Sequence, residues 1–296
     1  MSNTVTGQVV AAFGRQYVVH LRDGSEVACL TRGKKSEVVC GDLVEIRHTA
    51  DASADNGTGA QGVIESILPR RSLLHRSDAF RQKLIAANVT QLIVVVAAEP
   101  SFSDELLARC LVAAFDQKLD VLIVLNKCDL AEATATARLR LAPYRAIGYH
   151  VLELSAKQDI SALRPFLHNQ SSVLVGQSGM GKSTLINALV PDADAATSAI
   201  SIALDSGKHT TTHARLYRLD DTSSLIDCPG VQAFGLHHLS FGGIEQGFIE
   251  FAPYLGACRF RDCHHVHEPG CALREAVSAG KIDSRRLELF HQIAEK

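Results

Sequence analysis

The chain has no apolar run long enough to cross a bilayer: the longest, residues 92–98, covers only about a third of what a membrane helix needs. No secretory signal is expected at its start, because Thr4, Gly7 and Gln8 interrupt any apolar run there. It also lacks an excess of either charge. With 30 Lys and Arg against 32 Asp and Glu, the formal net charge of −2 argues against coating nucleic acid by bulk electrostatics and leaves only local basic patches. Cysteine occurs 8 times, yet in a chain of 296 residues without a signal a disulfide framework is disfavoured. Cys29, Cys40, Cys110, Cys128 and Cys228 are scattered and read as free thiols. The expectation is a soluble, cytoplasmic protein without a membrane partner. What is present is 46% hydrophobic content, enough for real cores, over a length that suits two or three domains.

Residues 1–68 read as short strands separated by turns, at 7–13, 16–21, 26–30, 42–48 and 62–67. Arg22-Asp23-Gly24-Ser25 is a turn signal, and residues 51–59 form a polar loop. That pattern suits a small OB-like barrel, although an unrelated small β-domain fits it too. Arg32-Gly33-Lys34-Lys35 is either a phosphate contact or a plain solvated loop, and Arg70, Arg71, Arg76, Arg81 and Lys83 keep the next segment basic. Within a second domain expected over 69–235, apolar strands alternate with helical stretches from about residue 84; the strands are expected at 92–98, 121–125, 150–154, 172–175 and 224–226. Their near-continuous Val/Ile/Leu content suits a parallel sheet covered on both faces. Residues 236–296 hold a Cys/His cluster and a helix near 283–295. This part is short for a core, so a structural metal makes physical sense there.

The motifs sit at the carboxyl ends of the α/β strands, where open sheets bind ligands. Gly176-Gln177-Ser178-Gly179-Met180-Gly181-Lys182-Ser183 fits G-x-x-x-x-G-K-[ST] and opens a helix at Thr184. Its glycines let backbone N–H groups turn inward around a β-phosphate. Lys182 is expected on the β- and γ-phosphates and Ser183 on Mg²⁺, with the helix dipole aimed at the same anion. A ligand-free glycine-rich turn would match the pattern, but not with a strand before it and an apolar helix after. Asn126-Lys127-Cys128-Asp129 fits NKxD, and Ser155-Ala156-Lys157 fits the SAK element that accompanies it. Asp129 accepts from the N1–H and exocyclic amine of guanine, a donor pair that adenine lacks. Lys127 lies over the base, Asn126 ties its loop to the phosphate loop, and Ser155-Ala156-Lys157 offers a backbone N–H to the guanine oxygen.

Asp227-Cys228-Pro229-Gly230 fits DxxG: Asp227 is expected on Mg²⁺ through water, and the Gly230 N–H on the γ-phosphate. Gly207-Lys208-His209-Thr210-Thr211-Thr212-His213 lies where a switch belongs, and Thr211 or Thr212 would ligate Mg²⁺ only with GTP bound. The same threonines also read as a plain strand entry. One part is missing. Many GTPases carry Gln after DxxG to orient the attacking water, and Val231 stands there instead, with His209 and His213 as substitutes nearby. The order is unusual as well, because NKxD and SAK precede the phosphate loop. The set is complete but circularly permuted, which the closeness of domain termini permits.

Cys258-x4-Cys263-x-His265-x5-Cys271 offers three thiolates and an imidazole, a closed set for structural Zn²⁺. His264 and His267 compete with His265 for the fourth place, and buried free cysteines are the plain alternative. Arg259, Arg261 and the histidines around them could set this knuckle against RNA.

With Ala86-Ala87-Asn88-Val89, GQSGMGKST, GKHTTTH, DCPGVQAFGL and CRFRDCHHVHEPGCAL, the chain resembles the RsgA (YjeQ) family of permuted GTPases over nearly its whole length. The resemblance implies an N-terminal OB-fold, a permuted GTPase core and a small α-rich zinc domain with ligands Cys258, Cys263, His265 and Cys271. It implies GTP hydrolysis stimulated by the small ribosomal subunit, with rRNA contacts from the flanking domains, in a protein expected to be monomeric. Lys208 departs from the arginine expected there. Two other classes are weighed. A GTP/GDP-gated rRNA-binding module with incidental turnover draws support from Val231. A P-loop kinase for a small molecule has no use for NKxD.

Overall fold

The computed structural model describes residues 4–32, 37–48, 61–77, 82–191, 193, 214–228 and 235–295. Its first strands are β1 (Thr4–Phe13), β2 (Gln16–Leu21), β3 (Glu26–Thr31), β4 (Leu43–His48) and β5 (Gly62–Ile67). They pair in the order β1-β2-β3-β5-β4, and β4 returns to β1, so the sheet closes on itself. Only β3 and β5 run parallel. This closed five-stranded arrangement is the OB-like barrel expected from the sequence. Alternation along the strands buries Val9, Tyr17, Val19, Val44, Ile46 and Ile64 in a small core of their own.

Two strands follow that were not expected, β6 (Leu73–Ser77) and β7 (Gln82–Ala87), which form an antiparallel hairpin. The segment that the sequence marks only as basic is thus partly sheet. Asp42, fully buried at the barrel, accepts from Arg70 Nε at 2.7 Å and from Nη2 at 2.8 Å, and so fixes the chain leaving the barrel.

The central sheet contains β8 (Gln91–Ala97), β9 (Asp120–Asn126), β10 (His150–Glu153), β11 (Ser171–Val175) and β13 (Ser224–Asp227) in the order β10-β9-β8-β11-β13, all parallel. Every residue of β8 is buried, as continuous Val/Ile/Leu content requires of a strand covered on both faces. Helices α1 (Asp104–Asp116), α2 (Ala131–Ala146), α3 (Arg164–Leu167) and α4 (Lys182–Leu189) connect these strands. Ser103 caps α1 by accepting from the Leu106 N–H at 3.1 Å. Strand β12 (Ala214–Arg218), absent from the expected strands although the threonines before it also read as a strand entry, pairs antiparallel with β13 on one side and with β1 on the other. Barrel and central sheet are therefore one continuous sheet. The irregularity between Val9 and Ala11 lies where β1 leaves β4 and meets β12, and a bulge lets one strand serve two neighbours in this way.

The C-terminal part comprises α5 (Phe241–Gln246), a 3₁₀ turn (Ile249–Tyr254), α6 (Ala272–Ser278) and α7 (Ser284–Ala294), with Asp283 capping α7. It holds more core than its length led us to expect. Phe248, Phe251 and Phe290 are fully buried, with Phe290 edge-on to the other two at 5.5 Å between centroids. The reason is that these side chains continue the core of the central sheet and α1 rather than forming a separate one. The Arg286 guanidinium lies over the rings of Phe248 and Tyr144 and donates to Glu250 at 2.6 Å, tying α7 to α2. Among the described residues no helix is long and apolar enough to cross a membrane.

Candidate functional site

Parallel pairing of β10, β9, β8, β11 and β13 brings the segments that follow β9, β10, β11 and β13 to one end of the sheet. The motifs are thus neighbours in space although they are scattered in sequence. Asn126 is the residue that joins them. Its side chain is buried at the end of β9, and its amide Nδ2 donates to the Met180 carbonyl of the phosphate loop at 2.9 Å. Its Oδ1 accepts from the Lys127 N–H at 2.8 Å and from the Ala156 N–H at 2.9 Å. One side chain therefore satisfies backbone groups from three loops.

The phosphate loop depends on its glycines. Gly176, Gly179 and Gly181 have φ of 147°, 81° and 91°. A Cβ on Gly176 would lie 2.2 Å from the Val95 carbonyl oxygen, and one on Gly181 would lie 2.2 Å from Asn126 Nδ2. Lys182 begins α4, and its ammonium donates to the carbonyls of Gly176 and Gln177 at 2.6 and 2.8 Å. Burial pushes its pKa down, and Asp227 opposes this. Burial likewise pushes the Asp227 carboxyl up, with Lys182 opposing. Asp227 reaches this position because β13 pairs with β11, opposite Leu174. A carboxylate and the exposed Ser183 hydroxyl at the same sheet end are the hard oxygen donors that Mg²⁺ takes beside phosphates. Met180 is buried under the loop, whereas Ser178 and Thr184 are exposed.

At the other side of the site Asp129 is exposed, and one of its oxygens accepts from the Ser155 hydroxyl at 2.6 Å. That bond is the main reason its carboxyl is held below the usual carboxylate range. Lys127, at φ 63°, turns its ammonium onto the Glu99 carbonyl at 2.8 Å. Cys128 is half-buried, and its N–H donates to the Leu154 carbonyl, which keeps the NKxD loop beside residues 155–157. Lys157 is exposed. Thr211, Thr212, His209 and His213 of the expected switch, together with Gly230 and Val231, lie outside the described residues.

The metal candidates converge. The ligand atoms of Cys258, Cys263, His265 and Cys271 lie within 4.8 Å of one another. His265 Nδ1 is 3.6 Å from the Cys258 sulfur, 3.5 Å from that of Cys263 and 3.2 Å from that of Cys271. Three thiols and one imidazole nitrogen facing a common point fit a tetrahedral Zn²⁺. His264 and His267 are exposed, and His264 rests on the Phe241 ring instead. Sequence reasoning missed Glu245, whose carboxylate is 2.6 Å from His265 Nε2. It selects the tautomer that leaves Nδ1 free toward the thiols, as carboxylates behind zinc-bound histidines do. It stands 20 residues before His265, and no spacing in the sequence marks it.

A family model described as RsgA GTPase matches residues 67–237. The chain is 55% identical over 292 residues to the small ribosomal subunit biogenesis GTPase RsgA of Nitrosospira multiformis, covering 99% of this chain and 91% of that one. It is 53% identical to the protein of the same name from Nitrosomonas europaea, covering 98% and 91%. Among solved structures, YjeQ from Thermotoga maritima superposes with a TM-score of 0.72 at 28% identity over 99% of this chain and 98% of its own. YloQ, described as a circularly permuted GTPase, superposes with 0.69 at 25% identity over 99% and 94%. Motif order, sheet and relatives agree, and the chain belongs to the RsgA GTPase family.

Proposed function

We propose that this protein hydrolyses GTP to GDP and phosphate on the maturing small ribosomal subunit in the cytoplasm, as a monomer, with the subunit stimulating the reaction. The observation that carries the reading is the Asn126 side chain, which holds the guanine-reading and phosphate-binding loops in one unit. The names of the relatives point to the same subunit. Residues 1–68 and 236–296 would meet rRNA, and residues 69–235 would carry the nucleotide.

In this reading Asp129 selects guanine, Lys127 lies over the base, and a backbone N–H of residues 155–157 meets the guanine oxygen. Backbone N–H groups of residues 176–184 cradle the phosphates, while Lys182 neutralises charge on the β- and γ-phosphates. Ser183 and Asp227 would hold Mg²⁺, with Thr211 or Thr212 joining them when GTP is bound. The ion, when bound, neutralises charge developing on the phosphate oxygens. Gly230 senses the γ-phosphate. Val231 cannot orient water, so His209, His213 or a group from the subunit does so. The free protein is therefore expected to turn over slowly and to accelerate on purified small subunits, because hydrolysis depends on positioning that a partner can supply. Single-turnover phosphate release with and without subunits checks this. Equal rates would instead favour the second reading that Val231 supports, an rRNA-binding module gated by GTP and GDP.

Cys258, Cys263, His265 and Cys271 would hold a structural Zn²⁺, with no open position for catalysis. Metal analysis of freshly purified protein is expected to find zinc. Glu245→Ala is expected to lower zinc affinity about tenfold to a hundredfold, read by competition with a chromophoric chelator. GTP affinity should be largely preserved. Unchanged zinc affinity would remove the carboxylate from the site.

A further inference from the structure

The connection between β8 and α1 belongs to none of the four nucleotide motifs, yet it touches two of them. The Glu99 carbonyl accepts from Lys127 Nζ at 2.8 Å. The Ser103 N–H donates to the Gln177 side chain of the phosphate loop at 2.8 Å. Pro100 lies beside Gly179, where an added Cβ would meet its ring at 3.4 Å, ordinary van der Waals contact. The connection is itself held from outside by Arg140 of α2, a helix that begins just after NKxD. Arg140 donates to Ser101 Oγ at 2.5 Å and to the Phe102 carbonyl at 2.6 Å, and its guanidinium stacks 4.0 Å over the Phe102 ring. Asp104, at the start of α1, pairs with the same guanidinium at 3.1 Å and also with Arg285 of α7.

We propose that Arg140 is a positioning residue for the nucleotide, keying residues 99–103 against Lys127 on the base side and against Gln177 and Gly179 on the phosphate side. The inference rests on the reading of the site as one for GTP. Only a planar fork makes these contacts together, because two guanidinium nitrogens reach two acceptors while the face covers a ring. A lysine offers one compact charge that can keep Asp104 but cannot also reach the Ser101 hydroxyl and the Phe102 carbonyl while covering the ring. The groups the loop supports contact the base and the inner phosphates, which GTP and GDP share. Loosening the loop therefore weakens both nucleotides alike.

The test measures binding of fluorescently labelled GDP and GTP, steady-state turnover and thermal melts for wild type, Arg140→Lys, Arg140→Ala and Arg285→Ala. Arg140→Lys is expected to weaken GDP and GTP equally, by roughly tenfold, the scale of one charge-assisted hydrogen bond. KM should rise with kcat little changed. A folding defect does the reverse, because it removes competent molecules and lowers apparent kcat at constant KM. Arg285→Ala takes the second guanidinium from Asp104 without touching the loop and is expected to bind like wild type. Wild-type affinity in both Arg140 variants would overturn the proposal, and so would an equal loss in Arg285→Ala or a fall in kcat alone that tracks a lowered melt. Failure of the wild-type protein to bind guanine nucleotides would instead sink the reading of the site itself.

Discussion

Lys182→Ala is expected to lower GTP turnover by at least about a hundredfold, with and without small subunits, the scale for removing one preorganised group from developing charge. The ammonium already lies within the turn of the phosphate loop, on the carbonyls of Gly176 and Gln177 and within the field of Asp227. Moving it onto phosphate oxygens exchanges carbonyl acceptors for charged ones, which is favourable and needs little rearrangement. No other cation is assigned to this position by the motifs, so nothing replaces it. The fold should survive, because burial works against this charge and alanine is a strong helix former at the start of α4. Ser183→Ala should lose turnover through the Mg²⁺ site rather than the lysine. Phosphate release measured beside a thermal melt separates chemistry from folding. Full activity in a folded Lys182→Ala protein would remove residues 176–183 from the reaction.

The parts of this molecule that could be read in the sequence are those whose physics is local. β8 and β9 announce themselves because strands buried on both faces must be continuously apolar, and the phosphate loop does so because Gly176 and Gly181 adopt backbone angles that other residues resist. The barrel strands carry alternation between marked turns. The missed parts depend on partners far along the chain. β12 is five residues, Ala-Arg-Leu-Tyr-Arg, whose pairing with β1 and β13 has no local signature. β6 and β7 are the exception, a local hairpin whose segment stood out in the sequence only as basic, with Arg76 and Lys83. Phe241, Phe248 and Phe251 fall at helical spacing, but Phe290 lies far along the chain, so their common cluster, and the core it extends, became visible only in three dimensions. The same holds for the site. Asp129, Lys182 and the metal ligands belong to motifs, whereas Glu245 and Arg140 touch residues far along the chain that no spacing marks.

Asp129→Asn is expected to exchange base preference rather than simply abolish binding. GTP should bind about tenfold or more weakly, the scale for hydrogen bonds to a charged group, while xanthosine triphosphate gains. The carboxylate can accept from guanine N1–H and from the exocyclic amine at once, and the Ser155 hydroxyl holds it anionic by donating to one oxygen at 2.6 Å. In the variant that same hydroxyl fixes the orientation of the amide. The amide oxygen stays where Ser155 donates, and the NH₂ group turns toward the base. There it meets the exocyclic amine of guanine donor to donor, but it donates to the 2-oxo group of xanthine. Ser155→Ala in the Asp129→Asn background frees the amide to rotate and should therefore blunt the preference for xanthine. Competition between the two triphosphates for a labelled guanine nucleotide measures both effects. Unaltered preference for GTP in Asp129→Asn would show that this side chain does not read the base, and a preference for xanthine unaffected by Ser155→Ala would show that something other than Ser155 orients the amide.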